Sequence, residues 1–264
     1  TSGERMVKLA ANLSMMFNEV DMLDRFDAAA NAGFKGVEYL FPYDFPAEQI
    51  KERLDKNGLK QVLFDLPAGD WDGGERGLGA LPGRVNEFRD GVGKAIEYAQ
   101  VLDCKLLTCL AGIPPEGTDP ELAMQTLVDN MAFAAPLAAQ VGAKLLLEPI
   151  NTRDIPGYFV STSRQGISIL NAVNHENAWL QYDIYHMQIM EGDLAPTIER
   201  LQNRIPHFQL ADNPGRNEPG TGEINYPYLF SFIDGLGYDG WIGCEYKPAG
   251  VTEDGLDWAA AYLK

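Results

Sequence analysis

Four strand-like runs in the second half of the chain each finish on a side chain that carries oxygen, and this recurrence most constrains the fold. In AKLLLEPIN, residues 143–151, Leu145, Leu146 and Leu147 form a continuous apolar run. Such a run fits a strand buried on both faces of a parallel sheet. Glu148 ends it, and Pro149 forbids further ladder pairing. Further on, WLQY runs into Asp183, IPHF into Gln209 and WIGC into Glu245. The intervals are 35, 26 and 36 residues, close to the 33 of an eight-fold division of 264 residues. A carboxylate at the end of a buried strand is costly unless it is paired or holds a cation. Oxygen ligands recurring at successive strand ends therefore point to one shared site for a hard divalent cation.

The rest of the chain supports an eight-fold plan. Apolar runs predict strands over residues 7–12, 36–41, 60–66, 105–110, 144–148, 179–183, 207–210 and 241–245. Helical spacing predicts helices over 21–32, 46–57, 84–102, 120–141 (with Pro136 as a kink), 163–173, 193–202, 226–236 and 252–262, the last capped by Thr252. Eight alternations without a composition break indicate α/β class and a single (β/α)₈ barrel over residues 6–264. Residues 1–5, ahead of Met6, read as a cloning remnant or disordered tail. A doubly wound sheet lacks support, because no glycine fingerprint follows the first strand. The loop 67–83 holds Trp71 and six glycines, and its length suits a lid.

Composition narrows the partners. A net charge of −17 argues against nucleic acid, while a small anionic substrate stays compatible with local cations. No apolar run approaches a membrane span and no secretory leader is visible, so a cytoplasmic protein is expected. Cys104, Cys109 and Cys244 lack metal-ligand spacing and read as buried reduced thiols. A homo-oligomer is compatible with the chain.

In a barrel the strand ends share one mouth, so Glu148, Asp183, Gln209 and Glu245 can converge. Three carboxylates and an amide oxygen suit Mg²⁺, with Mn²⁺ as the alternative, better than Zn²⁺. Two carboxylates on opposite walls can act as acid and base on a bound keto compound. His186, just past Asp183, is expected to touch substrate; His175 is expected at the surface and His207 in core packing. Arg216 and Lys247 are expected to anchor a substrate carboxylate, Lys247 sharing a face with Glu245 two residues earlier. Trp71, Phe41 and Tyr185 are expected to wall the pocket.

The segments ANLSMMF, VEYLFPYDF, LPAGDW, PGR with EFRDGV, LLLEPINTRDIPGYF, QYDIYHMQIMEGDL, ADNPGRNEPGTGEINYPYLF and GWIGCEYKP resemble the hydroxypyruvate isomerase family, a branch of the xylose-isomerase-like TIM barrels. The likeness runs from Met6 through essentially the whole chain. It implies reversible conversion of hydroxypyruvate to tartronate semialdehyde, a small keto-acid reaction with no organic cofactor. It also implies Glu148 and Glu245 as the acid/base pair, and Glu148, Asp183, Gln209 and Glu245 as ligands of the divalent metal. Related ketose 3-epimerases usually carry histidine where this chain has Gln209, which favours the isomerase branch. The 2-oxo-tetronate isomerases share the four ligand positions, and ADNPGRNEPGTGEINY is more similar to the hydroxypyruvate branch. An abasic-site endonuclease relative and a non-catalytic sugar-acid binder are the remaining readings. Acidity and only three histidines weigh against the first, and the intact ligand set against the second.

Overall fold

The computed structural model describes residues 6–263, and the expected tail at 1–5 lies outside the described residues. Eight strands close into a parallel barrel in chain order. They are β1 (Lys8–Asn12), β2 (Gly36–Glu38), β3 (Lys60–Asp65), β4 (Leu106–Cys109), β5 (Lys144–Leu147), β6 (Ala178–Asp183), β7 (His207–Leu210) and β8 (Trp241–Cys244). The helices are α1 (Arg25–Asn31), α2 (Ala47–Asn57), α3 (Val85–Leu102), α4 (Pro120–Gln140), α5 (Ser163–Val173), α6 (Ile184–Met190), α7 (Leu194–Leu201) and α8 (Tyr226–Gly235). The expected eight-fold alternation is present. The chain forms two compact units, one carrying β1, β2, β7 and β8 and the other β4, β5 and nearly all of β6.

Local chemistry explains where the elements begin and end. Leu145, Leu146 and Leu147 are fully buried on both faces of β5. Pro120 opens α4 behind Asp119, whose side chain accepts from Glu121 N, and the helix continues through Pro136. Thr162 caps α5 by accepting from Gln165 N at 3.1 Å, and Asn174 ends it in the left-handed region that asparagine tolerates. Cys104, Cys109 and Cys244 are buried free thiols, as expected. The ladder registers fix what faces what in the first unit. Asn12 stands opposite Glu38, and Gly243 stands opposite both Ala10 and Gln209.

Three expectations fail locally. Strand β2 ends at Glu38 rather than residue 41, since its ladder with β1 stops at the Asn12 pair. The chain after Asp183 is helical at once, forming α6, which periodicity over seven apolar-rich residues could not separate from a loop. The closing helix is two 3₁₀ segments, Glu253–Gly255 and Asp257–Tyr262. Thr252 does not cap it. Its Oγ1 instead accepts from Phe17 N at 2.9 Å and donates to Glu19 Oε2 at 3.0 Å, tying the chain after β8 to the loop after β1.

Candidate active site

The expected ligands sit at or beside the carboxyl ends of their strands. Glu148 directly follows β5, Asp183 closes β6, Gln209 lies in β7, and Glu245 directly follows β8. All four are buried. Within the first unit, Asp183, His186 and Glu245 each offer one ligand atom, and these atoms lie within 4.8 Å of one another. His186 thus joins the acidic group itself, closer to the carboxylates than the substrate-touching role expected from sequence required.

The β6–α6 junction shows how the local sequence sets Asp183. Asp183 is both the last residue of β6 and the N-cap of α6, its Oδ1 accepting from His186 N at 3.0 Å. Its Oδ2 is buried, has no hydrogen-bond partner among the described residues, and lies 3.7 Å from His186 Nε2. A buried carboxylate oxygen in that condition costs desolvation energy that a cation would offset. The donor set, carboxylate oxygens with one imidazole, fits a divalent cation.

Around Glu245 the first unit builds a dense polar cluster. Asn12 Nδ2 donates to Glu245 Oε2 at 3.0 Å, and Gln209 Nε2 donates to the same oxygen at 2.9 Å. Arg216 donates through a terminal guanidinium nitrogen to Glu245 Oε1 at 3.1 Å. The guanidinium also lies 5.0 Å from the centre of the Tyr185 ring. Arg216 reaches this position from a backbone φ of +58°, a costly conformation for arginine. Its N–H donates to Asp212 O, and its carbonyl accepts from Lys247 N at 2.7 Å, which holds the turn. Burial pushes the Glu245 carboxyl up to about 8. The Arg216 guanidinium opposes that shift, Asp183 and Glu38 add to it, and the Gln209 hydrogen bond opposes it.

A pH dependence follows for the metal-free protein. A folded value of about 8 above an ordinary 4.5 means the folded state binds the extra proton between those values. The stability this contributes is complete below the unfolded value and is lost as pH rises through the folded one. Urea melts of chelated protein are expected to lose on the order of a few kcal/mol between about pH 5 and pH 9. The Glu245→Gln variant should flatten that slope. A wild-type stability that is flat or rising over the interval would contradict the assignment.

The remaining expected residues fare unevenly. Lys247 is exposed whereas Glu245 is buried, because β8 ends at Cys244 and two-residue alternation no longer applies beyond it. A shared face for the two is therefore incorrect. Trp71 lies half-buried in its loop, edge-on to Phe41 with ring centres 5.1 Å apart and with the Arg76 guanidinium 4.2 Å from its ring centre. The second half of that loop is pinned. Gly77 N donates to Ala68 O, Gly79 N to Leu110 O, Ala80 N to Ala111 O, and Asn130 Nδ2 to Gly79 O. His207 is buried, as expected, but as a polar partner rather than packing, its Nε2 lying 2.7 Å from Glu38 Oε1.

Sequence reasoning missed Glu38 and Asn12. Glu38 is fully buried and meets Asn12 Nδ2, Gln209 Nε2 and His207 Nε2. The signal was present in GVEYLF, a carboxylate inside an apolar run, and the same cost that singled out Glu148 applies to it. It was overlooked because a strand drawn to residue 41 leaves Glu38 in mid-strand, whereas it is the end of β2.

Comparison with known proteins agrees with this geometry. The profile of the xylose isomerase-like TIM barrel family matches residues 26–262. Hydroxypyruvate isomerase of Escherichia coli (strain K12) is 50% identical over 257 residues, covering 97% of this chain and 100% of the relative. A 2-oxo-tetronate isomerase of Cupriavidus necator is 51% identical over 258 residues, covering 98% and 99%. The crystal structure of a protein described as AP endonuclease, family 2, from Brucella melitensis is 50% identical, with a TM-score of 0.95 and coverage of 97% and 99%. With a closed eight-stranded barrel, a buried acidic and histidine group beside its strand ends, and full-length relatives at this identity, the chain belongs to the xylose isomerase-like TIM barrel family.

Proposed function

We propose that this chain interconverts hydroxypyruvate and tartronate semialdehyde by proton transfer between adjacent carbons. The observation that carries this reading is the end-to-end 50% identity with the Escherichia coli hydroxypyruvate isomerase. The buried carboxylate group supplies the chemistry such a reaction needs. Glu148, Asp183, Gln209 and Glu245 are the proposed ligands of a divalent cation, Mg²⁺ first and Mn²⁺ second, with His186 beside them. Gln209 fits because its Nε2 donates to Glu38 and Glu245, and the carbonyl oxygen is the only atom of an amide that can ligate a cation. A cation held there polarises a carbonyl and offsets negative charge that develops on the substrate oxygens.

The chain's own residues move the protons. One of Glu148 and Glu245 removes a proton from C3 of hydroxypyruvate, and the C2 carbonyl takes up the electron pair. The other delivers a proton to C2 while the C3 hydroxyl proton passes to the C2 oxygen, leaving an aldehyde at C3. Atoms balance without a redox cofactor, and the reverse direction exchanges the two roles. Arg216, which donates to Glu245 Oε1, supplies the substrate carboxylate with a bidentate partner. Arg216→Ala is expected to raise KM for the keto-acid by about tenfold or more, as loss of a charged hydrogen bond would. An uncharged ketose should be much less affected. Equal effects on both substrates would remove Arg216 from carboxylate binding.

The first part of the loop after β3 is the proposed lid. Its travel is confined to residues 69–76, since the backbone from Gly77 to Ala80 is pinned. Trp71→Ala should lower turnover, and wild-type tryptophan fluorescence should respond to substrate. Indifference in both measurements would leave the loop a static wall.

The 51% identity with a 2-oxo-tetronate isomerase supports a second substrate reading on the same site. Side-by-side turnover of hydroxypyruvate, 2-oxo-tetronates and free ketoses decides between them, and a clear preference for the four-carbon acid would replace the first reading. A nuclease reading, prompted by the description of the Brucella melitensis protein, is opposed by the net charge of −17.

A further inference from the structure

Glu38 touches Gln209, one of the residues proposed to hold the cation, but is not itself one of them. It is fully buried at the end of β2, and three donors or ring nitrogens surround it. Gln209 Nε2 lies 2.6 Å and Asn12 Nδ2 2.9 Å from its Oε2, while His207 Nε2 lies 2.7 Å from its Oε1. The two amides donate at the same time to Glu245 Oε2, at 2.9 Å and 3.0 Å. Each NH₂ group is thus clamped between two carboxylates, one below and one at the site.

An amide can turn over by 180° with almost no change of shape, exchanging donor for acceptor, and only its hydrogen bonds decide which way it faces. Turned over, Gln209 would bring its oxygen against both Glu38 and Glu245 and would lose its own offer to a cation. The barrel also makes room for Glu38 specifically. A Cβ at Gly243 on β8 would lie 1.7 Å from Glu38 Oε1 and 2.3 Å from its carboxyl carbon. No other residue type at 243 is compatible with the carboxyl where it stands. Its Oε1 is held in turn by His207, whose Nδ1 is buried with no hydrogen-bond partner among the described residues. That imidazole has no evident purpose other than to hold Glu38.

We propose that Glu38 is a positioning residue, which fixes the amides of Asn12 and Gln209 with their NH₂ groups toward Glu245 and so presents Gln209 to the cation by its oxygen. This rests on the reading of Gln209 and Glu245 as cation ligands. Its effect runs through those residues; Glu38 touches neither substrate nor metal.

The test measures Mn²⁺ binding to chelated, substrate-free protein by calorimetry, alongside turnover. Glu38→Leu should remain folded by circular dichroism and bind Mn²⁺ about 10–100-fold more weakly, as loss of an outer partner of a metal ligand does. Its kcat should fall at limiting Mn²⁺ and recover in part when the ion is in excess. Glu38→Gln should stay within a few-fold of wild type, because its oxygen can still accept from both amides while its NH₂ meets the His207 ring in the other tautomer. Gly243→Ala, which keeps the carboxyl but displaces it, should resemble Glu38→Leu, and it carries the comparison if the leucine variant does not fold. A folded Glu38→Leu with wild-type Mn²⁺ affinity overturns the proposal, as does a folded Glu38→Gln as weak as Glu38→Leu. A merely structural role would lower the melting temperature and leave the affinity unchanged. Wild-type protein that fails to bind Mn²⁺ overturns the cation site itself, a separate result from either variant outcome.

Discussion

Glu245→Gln is expected to be almost inactive in both directions while keeping its fold. A positioned acid or base contributes roughly 10²–10⁴-fold, and Glu245 is also a proposed cation ligand, so the loss should reach the upper end or beyond. The fold should survive because two effects oppose each other. The amide cannot ionise, so it escapes the burial penalty on charge that lifts the Glu245 carboxyl to about 8. It also cannot accept at both ends, so either Arg216 or the Asn12–Gln209 pair loses its acceptor. Glu148→Gln should lose activity similarly, and the double variant should be little worse than either, since the two residues act as a unit. Near-normal turnover by Glu245→Gln in either direction would overturn the two-glutamate mechanism, whatever the barrel holds.

Removal of divalent cations is expected to abolish turnover, with Mg²⁺ or Mn²⁺ restoring it after dialysis. The physical basis is the crowding of Asp183 and Glu245, whose ligand atoms lie with that of His186 within 4.8 Å. Like charges this close raise one another's proton affinity unless a cation intervenes. Stability offers an independent readout. An ion at about a hundred times its dissociation constant adds about 2.7 kcal/mol to the folded state, and the increment should grow with pH as protons stop competing. Full activity in rigorously chelated protein, with no thermal shift on adding Mn²⁺, would remove the cation from the account.

Much of the frame was legible because a parallel barrel writes itself as a repeat. Strands buried on both faces give apolar runs such as Leu145–Leu147, and helices packed on the outside give amphipathic spacing, so α5 at Ser163–Val173 was found to the residue. What escaped was fixed by tertiary partners. Helix α6 follows β6 with no loop between, capped by the very carboxylate that ends the strand. Thr252 looks like a helix cap in sequence, yet its hydroxyl is spent on Phe17 and Glu19, more than two hundred residues earlier. Lys247 was assigned by strand alternation two residues beyond the point where the strand has ended. Glu38 needed the knowledge that β2 is only three residues long. The proposed ligands were readable since each follows an apolar run; Glu38 and Asn12 also end their strands, but a strand drawn to residue 41 hides the end at Glu38.

Asp183 carries two obligations on one side chain, since Oδ1 closes the first turn of α6 and Oδ2 belongs to the acidic group. Inheritance of the site is thereby coupled to inheritance of the helix. A lineage could not drift to a longer or shorter acid here, in search of a different ion, without also loosening the turn that carries Tyr185 and His186. Asparagine would keep the helix, being about as good a cap, and surrender charge; glutamate would keep charge and surrender the cap. Such a position has few neutral neighbours in sequence space, so variation in what this barrel accepts has freer routes through the loops than through Asp183 at the end of β6.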